Sequence, residues 1–101
     1  GLGVYGDRVP IDDVVPGRMY SFGGHTSFVD TRFLAEPTPT ARRRPEYLES
    51  TDVFMYLERI QRFGTSGALV GWYVKLLGPH GIGYCYLSNG VANELFREVF
   101  D

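Results

Sequence analysis

The residues with reactive chemistry are few. Cys85 is the chain's single cysteine, and His80 stands five positions before it. A cysteine nucleophile works as its thiolate and needs a base or cation beside it. His80 belongs to the turn Gly78-Pro79-His80-Gly81, which should point it into solvent, whereas Cys85 sits between Tyr84 and Tyr86 in a strand-like run. Cys85 therefore reads as a small buried residue. One cysteine allows neither an internal disulfide nor a cysteine-based metal cluster. Asp12-Asp13 and Asp30 are acids without a partner base, and His25 and His80 lie in Gly-rich turns where exposure is expected. Two histidines with scattered carboxylates do not make a zinc site. No nucleophile, base and orienting group come together. The expectation is a protein that is not an enzyme and uses no cofactor and no metal.

Binding chemistry is better represented. Residues 36–45 carry three prolines and the triplet Arg42-Arg43-Arg44. Proline forces extended backbone on the residue before it, and a loop this long is often functional. Tyr47 follows the loop, and Tyr73 and Tyr86 fall on the outward faces of two strand-like runs. Tyr73 is expected to be exposed, while Trp72, one position earlier, is expected to anchor the core. An aromatic floor with a cationic rim suits an extended, partly anionic chain, either a Pro-containing peptide or a wall polymer. The candidate ligand-binding residues are Tyr47, Tyr73, Tyr86, Arg42, Arg43 and Arg44. The loops 36–45 and 64–67 are expected at one end of the molecule, around this groove. The net charge of −2 argues against nucleic acid as the partner. No stretch approaches the roughly 18 apolar residues of a membrane span, so direct membrane insertion is not expected.

The elements that position these residues read mostly as strands. The chain of 101 residues fits one small core, and 15% aromatics with 13 glycines favour pleated surfaces joined by tight turns. Residues 1–27 form a Gly/Pro-punctuated N-terminal extension, with short extended pieces at 8–11 and 18–22. The domain proper covers 28–101. Strands are expected at 28–34 and 46–49. Residues 51–63 fit a helix through Val53, Tyr56, Leu57 and Ile60, or a strand through Val53, Met55 and Leu57. Their β-branched and aromatic content favours the strand. Residues 69–77 and 82–87, joined by the Gly-Pro-His-Gly turn, read as a hairpin. The C-terminus fits a helix through Val91, Leu95, Phe96 and Val99, or a final short strand. Val53, Met55, Leu57, Trp72, Val74, Leu76, Tyr84 and Leu87 are the expected core.

In order and spacing, residues 33–91 resemble the bacterial Src-homology-3 domain. "FLAEPTPT" is similar to that family's first segment, with Pro37 and Thr38 in its last positions. "PEYLESTDVFMYLERI" resembles its strand–turn–strand, with Leu48 before the turn. "GWYVKLLGPHGIGYCYLSNGV" resembles its Gly-Trp-aromatic hairpin through Gly71, Trp72, Tyr73, Val74, Gly83, Tyr84, Ser88 and Asn89. The chain departs from the pattern at Leu34, where the family has Arg, and at Ser50-Thr51-Asp52, which lacks the usual Gly. The resemblance implies an all-β fold, a small five-stranded Src-homology-3-like barrel, with an irregular N-terminal extension and a short C-terminal helix as one reading of the end. It implies a non-catalytic binding or assembly module of a bacterial envelope-associated protein, located in the periplasm or cell envelope, whose partner is a protein, a peptide or a cell-wall polymer. The alternatives are a structural accessory fragment of a larger protein, or a truncated polo-box, whose opening hairpin "GIGYCYLSNGV" also resembles.

Overall fold

The computed structural model describes residues 4–22, 30–48 and 51–100, with side chains omitted at 4–5, 30–33 and 44–47. Eight strands form one antiparallel sheet: β1 (Val4–Val9), β2 (Met19–Ser21), β3 (Asp30–Leu34), β4 (Arg43–Tyr47), β5 (Phe54–Phe63), β6 (Leu69–Gly78), β7 (Gly81–Ser88) and β8 (Phe96–Phe100). The helical content among the described residues is a 3-10 turn, Ile11–Asp13, and the single-turn helix α1, Asn89–Ala92. The strand order is β1-β8-β2-β5-β6-β7-β3-β4. The all-β expectation holds. The strand count is eight rather than five, because the N-terminal segment supplies β1 and β2, and the C-terminal segment supplies β8, to the same sheet.

The C-terminal segment resolves into both of its readings in succession. Asn89–Ala92 makes one helical turn, and Phe96–Phe100 then turns extended. Its strand lies between β1 and β2 and pairs with both. Backbone N–H and C=O groups flanked on both sides by ladders are satisfied without a helix. The β6–β7 connection closes tightly, with Gly78 paired to Gly81, and the β5–β6 turn places Gly67 at φ 84, where a side chain would be strained.

No second layer covers this sheet among the described residues, so it must curl round its own apolar face. Ile11, Tyr20, Phe22, Leu48, Phe54, Tyr56, Trp72, Val74, Leu76, Cys85, Leu87, Leu95 and Phe96 are buried in one cluster. Five rings dominate it. Phe96 stands 5.9 Å from Tyr20, 5.6 Å from Phe22, 6.1 Å from Phe54 and 6.2 Å from Tyr56, centroid to centroid. These are the edge-on and tilted contacts that aromatic quadrupoles favour.

The expected core needs two corrections. On β5 the inward residues are Phe54 and Tyr56, whereas Val53, Met55 and Leu57 are only half-buried. Side chains alternate faces along a strand, so the two readings differ by one residue and exchange the whole set. The rings bury more area than Met55 and Leu57 and mesh with Phe22 and Phe96, which decides the register. On β7 the inward residues are Cys85 and Leu87, paired across β6 with Val74 and Trp72. Tyr84 lies on the other face with Tyr86 and is half-buried. Trp72, Val74, Leu76 and Leu87 are buried as expected, and so is Cys85; His80 is exposed.

Candidate ligand-binding site

The outward face of the β5–β6–β7 meander carries a second aromatic group. Tyr73 and Tyr86 are direct cross-strand partners, and their rings lie 5.6 Å apart with planes at 53°. Between Tyr56 and Glu58 the β5–β6 ladder shifts by one residue, leaving Leu57 as a bulge. Beyond it Ile60 pairs with Tyr73 and Arg62 with Gly71, which puts Arg62 on the same outward face as both tyrosines. Its guanidinium carbon is 4.7 Å from the Tyr86 ring centroid and 5.8 Å from that of Tyr73. Both lie within cation–π range.

Gly71 makes this arrangement fit. A Cβ there would stand 2.9 Å from both Cε2 and Oη of Tyr86 and would clash with the Leu87 carbonyl oxygen. Without that carbon, Tyr86 lies back over Gly71 and its hydroxyl donates to the Val70 carbonyl at 3.3 Å.

The other wall comes from the β3–β4 arm. Leu34 pairs with Tyr84 on one side and with Arg43 on the other. The β3–β7 ladder is irregular here, since Asp30 to Leu34 spans four steps while Tyr86 to Tyr84 spans two. Bulged ladders re-aim side chains and are common beside sites. The intervening loop is tied by Ala35 N–H donating to the Arg42 carbonyl at 2.9 Å and Ala41 N–H donating to that of Thr38 at 3.2 Å. Sheet and arm enclose a cavity of about 120 Å³ lined by Leu34, Thr38, Pro39, Ala41, Arg43, Arg62, Tyr73 and Tyr86.

Tyr73 is the unusual member. It is only 3% exposed, so it is not the open aromatic platform that its outward position predicts: Tyr86 and Arg62 lie against its ring, and the β3–β4 arm stands across the cavity it lines. Its buried hydroxyl meets no acceptor among the described residues, and Arg62 beside it is a donor towards its oxygen. Arg62 cannot accept from it, since a guanidinium has donors alone. Burial pushes the Tyr73 phenol above its ordinary value of 10.0, against the Arg62 charge, which favours the phenolate. Tyr73 is therefore a neutral O–H donor at physiological pH, with no acceptor among the described residues.

Of the residues expected at the site, Tyr73, Tyr86 and Arg43 come together round this cavity. Arg42 does not line it; its side chain is exposed, and its carbonyl closes the loop. The side chains of Arg44 and Tyr47, like His25, lie outside the described residues. The turn 64–67 does not line the cavity either, although Arg62 stands two residues before it. Sequence reading missed Arg62, although alternation counted from Val53, Met55 and Leu57 also puts it on the outward face; what was not read was the pairing with Gly71 that sets it over the tyrosines. Counting back from the Gly64–Gly67 turn would have placed Arg62 opposite Gly71.

No protein-family model, curated protein or solved structure matches this chain. Function is therefore argued from the site. A second cavity, of about 280 Å³, is roomier and lies between residues 17–20 and 98–100. It has one basic and one acidic residue, Arg18 and Glu98. The tyrosine that lines it, Tyr20, already accepts a hydrogen bond from the Val15 N–H at 2.9 Å. Of the buried side-chain atoms left without an acceptor among the described residues, Tyr73 Oη lines the smaller cavity and Arg97 Nε lines neither. Among the described residues no group of three or more His, Cys, Asp or Glu converges on a metal position, and no helix is long and apolar enough to cross a membrane.

Proposed function

We propose that this chain is a non-catalytic binding module that takes an extended peptide segment of a partner protein across the Tyr73–Tyr86 face. The observation that carries the reading is the cavity between sheet and arm, where two tyrosines and two arginines meet around a buried hydroxyl with no acceptor among the described residues. Unsatisfied buried donors cost roughly 1–3 kcal/mol, and proteins retain them where a ligand completes them or where they serve another role. A peptide is favoured over a sugar polymer by shape. Sugar stacking wants an open ring face, while Tyr73 is covered and the two rings form a crease at 53°. The cavity is slightly smaller than the roughly 150 Å³ that holds one benzene-sized group, so it fits a single side chain. The bacterial-envelope setting rests on the sequence resemblance alone.

The accessory-fragment reading differs in one measurable way. A binding module is stabilised by its free peptide ligand, by about 2.7 kcal/mol at about 100 times Kd. Peptides selected from a random display library should raise the Tm of the wild-type chain but not of Tyr86→Ala. If no selected peptide raises the Tm, or if the rise survives in Tyr86→Ala, the module reading at this face fails.

A further inference from the structure

We propose that the Arg43–Arg62 cavity is an anion subsite that receives the side-chain carboxylate of an acidic residue in the bound peptide. The inference rests on the peptide-binding reading above and names the chemistry of the ligand's anchoring group.

Every described polar side chain that lines the cavity can donate. Arg43 and Arg62 supply guanidinium groups, Thr38 a hydroxyl, and Tyr73 and Tyr86 phenols, and there is no carboxylate among these lining residues. Guanidinium has no acceptor capacity and forms its strongest hydrogen bonds, often bidentate, with carboxylates. Tyr86 spends its proton on the Val70 carbonyl, whereas the Tyr73 proton has no acceptor among the described residues. A carboxylate brings only acceptors, with charge, to both guanidiniums, whereas a neutral amide offers them one uncharged acceptor atom.

Orientation supports the same choice. Arg62 is held between two rings at 4.7 and 5.8 Å, so its fork is restricted before any ligand arrives. A restricted fork loses less side-chain entropy on binding. The whole chain carries a net charge of −2, so a local pair of cations with no acid in the lining departs from the average surface. Leu34, Pro39 and Ala41 supply an apolar collar for the methylene stem of Glu or Asp, and the cavity volume of about 120 Å³ admits one such side chain.

The test uses residue-resolved amide and side-chain NMR shifts of the whole chain, titrated with acetyl-prolyl-glutamate methylamide, its glutamine isostere and sodium acetate. The glutamate probe should shift Tyr73, Tyr86, Arg62 and residues 38–43 with an affinity about tenfold or more above the glutamine probe. Acetate should shift the same resonances more weakly. Arg62→Gln should bring the glutamate-to-glutamine ratio towards one. Arg43→Gln, an exposed position whose folding is not at risk, should lower the ratio as well. Equal affinity of the two peptides at this cavity overturns the anion inference and leaves peptide binding standing. If neither the glutamate probe nor acetate moves these resonances, the inference is also overturned. If display-selected peptides fail to move them too, the module reading falls with it.

Discussion

The two faces of the sheet carry aromatic residues to different ends. On the inner face Tyr20, Phe22, Phe54, Tyr56 and Phe96 pack edge to face around Phe96, and Tyr20 has its hydroxyl matched to the Val15 N–H. On the outer face Tyr73 and Tyr86 meet at a crease, with Arg62 laid over them, a cavity beside them and one hydroxyl without an acceptor among the described residues. Ring count alone does not separate a core from a site. The separation lies in completeness: packed volume and matched donors on one side, open volume and an unmatched donor on the other.

The largest effect should come from the inner face. Phe96→Ala removes the ring that four others touch and should cost roughly 3–5 kcal/mol, enough to unfold a domain of this size. Denaturant unfolding followed by tryptophan fluorescence measures it. A loss below about 1 kcal/mol would remove Phe96 from the centre of the core.

Gly71→Ala comes next. The added carbon meets Tyr86 and the Leu87 carbonyl, and overpacking of this kind costs typically 1–3 kcal/mol. The same variant should expel Tyr86 from its place over the strand and weaken peptide binding. Unchanged stability with an unchanged Tyr86 spectrum would show that the crease does not depend on Gly71.

A smaller pair sharpens the contrast directly. Tyr20→Phe strands the Val15 N–H and should cost about 0.5–1.5 kcal/mol, whereas Tyr73→Phe removes an unmatched hydroxyl and should be neutral or stabilising. Equal losses in both would mean that Tyr73 has an acceptor after all.

Alkaline titration gives the subtlest reading. Burial raises the Tyr73 and Tyr56 phenols above 10.0 in the folded chain, opposed by Arg62 and Arg59 respectively. The unfolded chain then loses these protons first, so the associated stability is complete below pH 10.0 and falls as pH rises through the folded values. Tyr73→Phe should flatten this decline and shift the alkaline unfolding midpoint upward. An unchanged midpoint would contradict the burial of the phenol.

The β-rich class, the long central hairpin and the buried Cys85 were legible because alternation and Gly-rich turns are local signals. β2 falls within the extended piece expected at 18–22, whereas β1 overlaps the piece expected at 8–11 only at Arg8 and Val9; neither could be joined to the main sheet from sequence, since their partners β8 and β5 lie far along the chain. The face of β5 was misread because Phe54 and Met55 are both apolar, and local pattern cannot weigh one against the other without Phe22 and Phe96. At the site, Tyr73, Tyr86 and Arg43 could be named from strand parity and loop composition. Arg62 was missed for another reason: its outward face follows from parity, but its place over Tyr73 and Tyr86 depends on the β5–β6–β7 register, which no local pattern encodes.

The most direct test is residue-resolved shift mapping with a library-selected peptide on the wild-type chain. The account predicts shifts centred on Tyr73, Tyr86, Arg62 and residues 38–43, with Tyr20, Phe54 and Phe96 unmoved. Shifts centred instead on residues 17–20 and 98–100 would contradict it and place the ligand in the other cavity.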